Sequence, residues 1–243
     1  MSDASAPDEE LVTRLGWMQA GTEFFVAQVA GLSDDDLLEA SRLPGWTRRH
    51  VLSHMANNAV ALMNLLDWAR TGIETPMYPS REARAADIES GSLRPAAELR
   101  ANAVESAERF VAATKAMPST GWGAPVRTAL DLPVTGAEVP WMRTREVWVH
   151  GVDLGGAATF TDIDSTVAAA LLDEAARSFA GRGDCPAVRL VVDDGESFSI
   201  GPMGTRATEV HGNVHSLAAW LLGRSDGADL DTLGLLPVLP TWL

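Results

Sequence analysis

Residues 44–72 read PGWTRRHVLSHMANNAVALMNLLDWARTG. Pro44 and Gly45 end whatever precedes them, and Thr47 is a natural N-cap for a helix beginning there. Beyond it Val51, Met55, Leu62 and Leu66 recur at helical steps until Gly72 stops the run, so the stretch is predicted to be one amphipathic helix. That helix carries His50 and His54, four residues apart and therefore on one face. A second stretch, EVWVH at residues 146–150, sets Glu146 and His150 at the same spacing, on a helix opened by Pro140 and closed before Gly155 and Gly156. Two imidazoles, or an imidazole and a carboxylate, held one turn apart can share a divalent cation.

The remaining sequence extends this into a bundle. Leu11, Leu15, Met18, Phe24, Phe25 and Val29 predict a long helix from Glu9 to about Gly31. Ser33 caps a short helix rich in aspartate. A loop containing Pro76 and Pro79 comes after the histidine helix, and another helix is predicted from just after Ser92 to Met117. The segment 122–139 is broken by Gly and Pro into short strand-like pieces. Four long helices with intervening loops imply a helical bundle over residues 1–157. After Gly155-Gly156 the pattern changes. A helix is predicted over Asp164 to Ala180, then two strands, VRLVVDD and ESFSIG, around an Asp-Gly turn, a further strand near Ala207 to Val210, and a helix ending at Gly223. Residues 158–243 therefore read as a small α/β domain, and the fold class as multi-domain, α followed by α/β.

Composition narrows the function. With 46% hydrophobic residues the chain is not disordered. Its 19 basic residues against 33 acidic give a net charge of −14, which argues against nucleic-acid or anionic-membrane surfaces. Any anionic substrate must therefore be met by locally placed arginines. Cys185 is the single cysteine, so no intrachain disulfide and no cysteine-based zinc site can form. The opening MSDASAPDEE is acidic and polar, unlike a signal peptide, and no apolar run reaches membrane-spanning length, so a soluble cytoplasmic protein is expected. Sequences of the type HExxH, GxxxxGK[ST] and GxGxxG are absent.

All five histidines lie in three i, i+4 pairs, in one of which the partner is Glu146. In the third pair, His211 and His215, Gly212 intervenes and no acidic residue stands at ligand spacing, so a shared metal is not expected there. For the other two pairs, the residues alone leave two readings open: one metal site built by two helices, or ordinary packed and surface histidines. A glutamate in an apolar helix face is costly unless a cation compensates it, which favours the metal.

Residues 44–72, together with MRTREVWVHGVDLG at 142–155 and VHGNVHSLAAWLLGRSDG at 210–227, resemble the mycothiol-dependent maleylpyruvate isomerases. These belong to the wider DinB-like group of metal-binding four-helix proteins. The resemblance runs through nearly the whole chain, in order. It implies an N-terminal DinB-like four-helix bundle with a small C-terminal α/β domain. It also implies a divalent metal, usually zinc, held by His54, Glu146 and His150, with His50 a neighbour rather than a ligand. Mycothiol would be the second cofactor. The implied reaction is isomerisation of maleylpyruvate to fumarylpyruvate in gentisate breakdown: a thiolate adds to the cis double bond, the resulting single bond rotates, and elimination restores a trans alkene. The metal would act on the thiol, by lowering its pKa, or on the substrate carbonyl.

The implied substrate is a dianion. Arg84, in the loop after the histidine helix, and Arg224, just past the last clear helix, are the candidate anion-binding residues. Asn58, one turn beyond His54, is a candidate contact to the site. The C-terminal domain is expected to cover the metal cleft and to lend it Arg224. Cys185 is expected to be a buried structural residue rather than a nucleophile. The partners implied are a dicarboxylate and a low-molecular-weight thiol, and a monomer is expected. Among DinB-like relatives, thiol transferases acting on electrophiles form the alternative. A bundle with structural histidines is the non-enzymatic one.

Overall fold

The computed structural model describes residues 9–204 and 206–242; the acidic opening, residues 1–8, lies outside them. The described residues divide into two compact units, one ending at Ala157 and the other beginning at Ala158.

The first unit contains α1 (Glu9–Ala30), a 3-10 turn at Asp36–Leu38, α2 (Arg48–Thr71), α3 (Arg81–Ser92), α4 (Ala96–Lys115), the single-turn α5 (Ser119–Trp122) and α6 (Val139–Asp153). Between α5 and α6 a short antiparallel hairpin pairs β1 (Pro125–Arg127) with β2 (Pro133–Thr135). The long helices close a bundle: α1 packs on α6, α6 on α2, α2 on α4, and α4 on α1. The apolar positions of the quoted helix face inward, and Leu62, Leu65 and Leu66 join Met18, Phe110 and Val139 in one buried cluster. Helix α2 is capped by Thr47, as its sequence requires. It ends at Gly72, whose φ of 73° is the left-handed conformation that glycine adopts without strain and whose amide donates to the Trp68 carbonyl at 2.8 Å.

One element departs from the sequence reading. The segment before Ser92, expected to be loop, contains α3, so Arg84 stands on a helix. Ser80 caps α3 by accepting from the Ala83 amide at 3.1 Å. Only Ile88, Gly91 and Ser92 of its twelve residues are buried, which is why no apolar period reveals it. Gly91 lets it lie close on α2, since a Cβ there would collide with Ser53 Oγ.

Two glycines similarly draw α1 and α6 together. A Cβ on Gly21 would fall 2.6 Å from Trp148 Nε1 and 2.6 Å from Val147 Cγ2, and one on Gly151 would fall 2.5 Å from the Phe24 ring. Phe24 and Trp148 stack in this seam with ring centroids 4.8 Å apart.

The second unit holds α7 (Ser165–Phe179), β3 (Val188–Val192), β4 (Ser197–Ile200), β5 (Thr208–Gly212), α8 (Val214–Leu221) and β6 (Asp231–Thr232). Asp164 caps α7 and Asn213 caps α8 through their side chains. The sheet order is β4-β3-β5-β6, with β3 antiparallel to β4 and parallel to β5. The architecture is the expected one, a four-helix bundle and a small α/β domain. The parallel β3–β5 pairing and the short β6 go beyond what the sequence pattern predicts. No helix among the described residues is long and apolar enough to cross a membrane.

Candidate metal centre

Helices α2 and α6 pack face to face, and their polar residues meet at one level. His54 of α2 is buried, and its Nε2 lies 2.9 Å from Glu146 Oε2 on α6. One turn along α6, His150 Nε2 lies 3.3 Å from the same carboxylate oxygen. The two imidazoles meet edge to face at 4.8 Å between centroids. One ligand atom from each of the three residues lies within 4.8 Å of the others, the one such cluster of His, Cys, Asp or Glu among the described residues.

This donor set fits a divalent ion. Ligand atoms around tetrahedral zinc, with bonds of about 2.0–2.1 Å, stand roughly 3.3 Å apart. The two His–Glu separations lie at or under that distance, and all three candidate donor atoms lie within 4.8 Å of one another, close enough to share one ion. Three protein ligands leave a coordination position for another molecule.

The surroundings set the state of each candidate ligand. Asp153, fully buried, sits 2.9 Å from His150 Nδ1 and so leaves Nε2 to face the site. Burial alone would lower the His150 pKa, but hydrogen bonds to Asp153 and Glu146 carry it up to about 9. Burial would raise Glu146; hydrogen bonds from His150 and His54 instead hold it well below the usual carboxylate range. For His54 burial prevails over the pull of Glu146, and its pKa is lowered. The triad thus carries one firmly anionic group flanked by two imidazoles of different basicity.

His50 is engaged elsewhere. Its Nδ1 accepts from the Thr47 amide at 3.2 Å, closing the first turn of α2, and its Nε2 lies 3.4 Å from Glu89 on α3. Trp46 stacks on His50 and tilts against His54, with centroid distances of 6.2 and 5.6 Å.

Of the anticipated anion contacts, Arg84 reaches the triad: its Nη2 is 3.3 Å from His54 Nδ1, and its guanidinium lies over the Tyr78 ring at 5.7 Å. Both Arg84 and Tyr78 line a cavity of about 590 Å³ that also includes Trp68, Arg81 and Arg127. Asn58 is buried with its side-chain oxygen accepting from Arg143 Nη1 at 2.7 Å, so its contact is to that arginine. Arg224 belongs to the second unit, where Nη1 donates to the Leu222 carbonyl at 2.6 Å. His211 stands near Glu209 at 3.6 Å and His215 Nε2 lies 2.9 Å from the Ile163 carbonyl. Cys185 is buried, which raises its thiol pKa.

Sequence reasoning missed Arg143, Asp153 and Tyr78. The first two fall on the stripe 143, 146, 150, 153, all on the ligand-bearing face of α6, and that spacing was available. Tyr78 is the only tyrosine of the sequence, on a segment with no regular pattern to place it.

Residues 18–155 match the family described as mycothiol maleylpyruvate isomerase N-terminal domain. Two solved structures are similar over all of this chain and all of their own: the mycothiol-dependent maleylpyruvate isomerase and a histidine-to-alanine mutant of it, each with 33% sequence identity and a TM-score of 0.91. Among curated protein sequences none matches.

Proposed function

This chain belongs to the mycothiol maleylpyruvate isomerase family, and we propose on that premise that it converts maleylpyruvate to fumarylpyruvate with a divalent metal, zinc by preference, and mycothiol. The observation that carries the proposal is the convergence of His54, Glu146 and His150 within 4.8 Å, from two helices, beside an arginine-bearing cavity.

His54 and His150 would hold the ion through Nε2, and Glu146 would bring the single negative charge of the donor set. A metal so held supplies Lewis acidity, and a thiol cofactor supplies the reversible addition that lets a double bond rotate. Asp153 keeps the His150 imidazole in the tautomer that donates a lone pair at Nε2. Trp46 packs on His54 and limits the space open to water at that ring. Arg84, between the triad and the cavity, offers a charge to an anionic substrate where the chain as a whole is strongly acidic. Arg224 remains a candidate for the same task on its sequence position. The chain's lone thiol, on Cys185, is buried and held protonated, so an attacking sulfur must come from outside the chain.

The test is a metal analysis of purified protein joined to an isomerisation assay on maleylpyruvate with and without mycothiol. The reading requires bound divalent metal and a rate that depends on both metal and thiol. Stoichiometric consumption of thiol with accumulation of a conjugate would identify a transferase instead.

A further inference from the structure

Arg143 is 0% exposed on α6, one turn before Glu146. Its Nη1 donates to the Met55 carbonyl at 3.1 Å and to Asn58 at 2.7 Å, both on α2 and both neutral. The Phe110 ring lies 5.8 Å from the guanidinium carbon. The other two donors, Nε and Nη2, are buried and have no hydrogen-bond partner among the described residues. Those nitrogens form one edge of the guanidinium, whose parallel N–H bonds match the two oxygens of a carboxylate. A buried guanidinium held only by neutral acceptors opposes folding, so stability does not account for it. Glu146, the acidic residue one turn along the helix, is already engaged by both histidines.

We propose that the open edge of Arg143 receives one carboxylate of a dicarboxylate substrate, one helical turn from the metal ligands. The proposal rests on the isomerase reading above and names how that site selects a dianion. The two charges of a divalent ion at the triad are offset by Glu146 and Asp153. The guanidinium charges of Arg84 and Arg143 are then in excess, and a dicarboxylate cancels both. Tyr78 stands on the Arg84 side of this arrangement: it lines the cavity and its ring lies beneath Arg84.

Calorimetric titration of the metal-loaded full chain with heptanedioate and heptanoate tests this, since the two differ by one carboxylate at equal chain length. Wild type should prefer the dianion. Arg143→Lys keeps a charge but removes the bidentate edge, and should weaken heptanedioate binding about ten- to a hundredfold while changing heptanoate little. Asn58→Asp leaves the arginine in place, gives it an internal carboxylate, and should lower heptanedioate affinity as well. Metal content should stay the same in both variants. No dianion preference in wild type overturns the proposal, and so does unchanged heptanedioate affinity in either variant; should Arg143→Lys not fold, Asn58→Asp decides alone. A protein with this Arg143-dependent preference that fails to isomerise maleylpyruvate would sink the reaction and leave the carboxylate site standing. An active protein indifferent to both substitutions would do the reverse.

Discussion

His54 Nε2 and Glu146 Oε2 lie 2.9 Å apart across the α2–α6 interface, although 92 positions separate them in the chain. The contact joins His54 to the Glu146–His150 pair in one cluster, and the first prediction rests on it. His54→Ala, Glu146→Ala and His150→Ala should each lose bound metal, whereas His211→Ala and His215→Ala should retain it. Elemental analysis of the five purified variants checks this; full metal occupancy in any of the first three would remove that residue from the site.

His50→Ala should behave differently. The side chain closes the first turn of α2 through the Thr47 amide, so its loss should cost about 1 kcal/mol of stability, in the range of other N-terminal caps. Metal content should be unchanged. Thermal unfolding and elemental analysis together test it, and metal loss without destabilisation would make His50 a ligand.

The stability of the metal-free protein and its affinity for zinc should depend on pH with opposite sign. The His150 pKa is raised from 6.5 to about 9, so in metal-free protein its charged form contributes stability that is complete below 6.5 and is lost as the pH rises from there to about 9. A metal must displace the same proton, so its affinity should climb roughly tenfold per pH unit across the interval. The rise in melting temperature caused by zinc should therefore be larger at the alkaline end of this window than at its acid end. Asp153→Asn should flatten the dependence by removing a group that raises the His150 pKa. A zinc-induced shift independent of pH would contradict the assignment of that proton.

Arg224→Ala should lower kcat/KM for the diacid by about 10- to 150-fold, the worth of a lost charge-assisted contact, with zinc content and folding unchanged. Arg224 also stands just past the end of α8, where a cation is favoured by the helix dipole. If that is its whole role, the variant will lose a little stability and keep its kinetics, and steady-state assays separate the two outcomes.

The bundle was legible because each long helix carries an apolar stripe bounded by a cap and a glycine or proline stop, as in Thr47 to Gly72. The candidate triad was legible in two steps: the i, i+4 spacing on two such helices marked His50, His54, Glu146 and His150, and the family resemblance chose His54 over His50. Helix α3 was not, since it buries little and Ser80 alone marks its start. Arg143 escaped notice because an arginine in a helix reads as solvated, and only tertiary packing against Met55, Asn58 and Phe110 makes it a buried charge. The parallel pairing of β3 with β5 escaped for a similar reason: strands not adjacent in sequence leave no local trace of their register.

The seam made by Gly21 and Gly151 lies on the opposite flank of α6 from the ligands, yet it governs them. Helix α6 brings two of the three candidate metal-binding groups and α2 the third, so the bite of such a chelate would be the distance between those helices. That distance is set from behind, by how closely α1 lets α6 settle. A single methyl at Gly21 would meet Trp148 and Val147 well inside van der Waals contact, so those side chains or the helix that carries them would have to give way. Grafting His54, Glu146 and His150 onto another bundle would therefore transfer the donor atoms without their grip, unless the missing volume behind them were transplanted too.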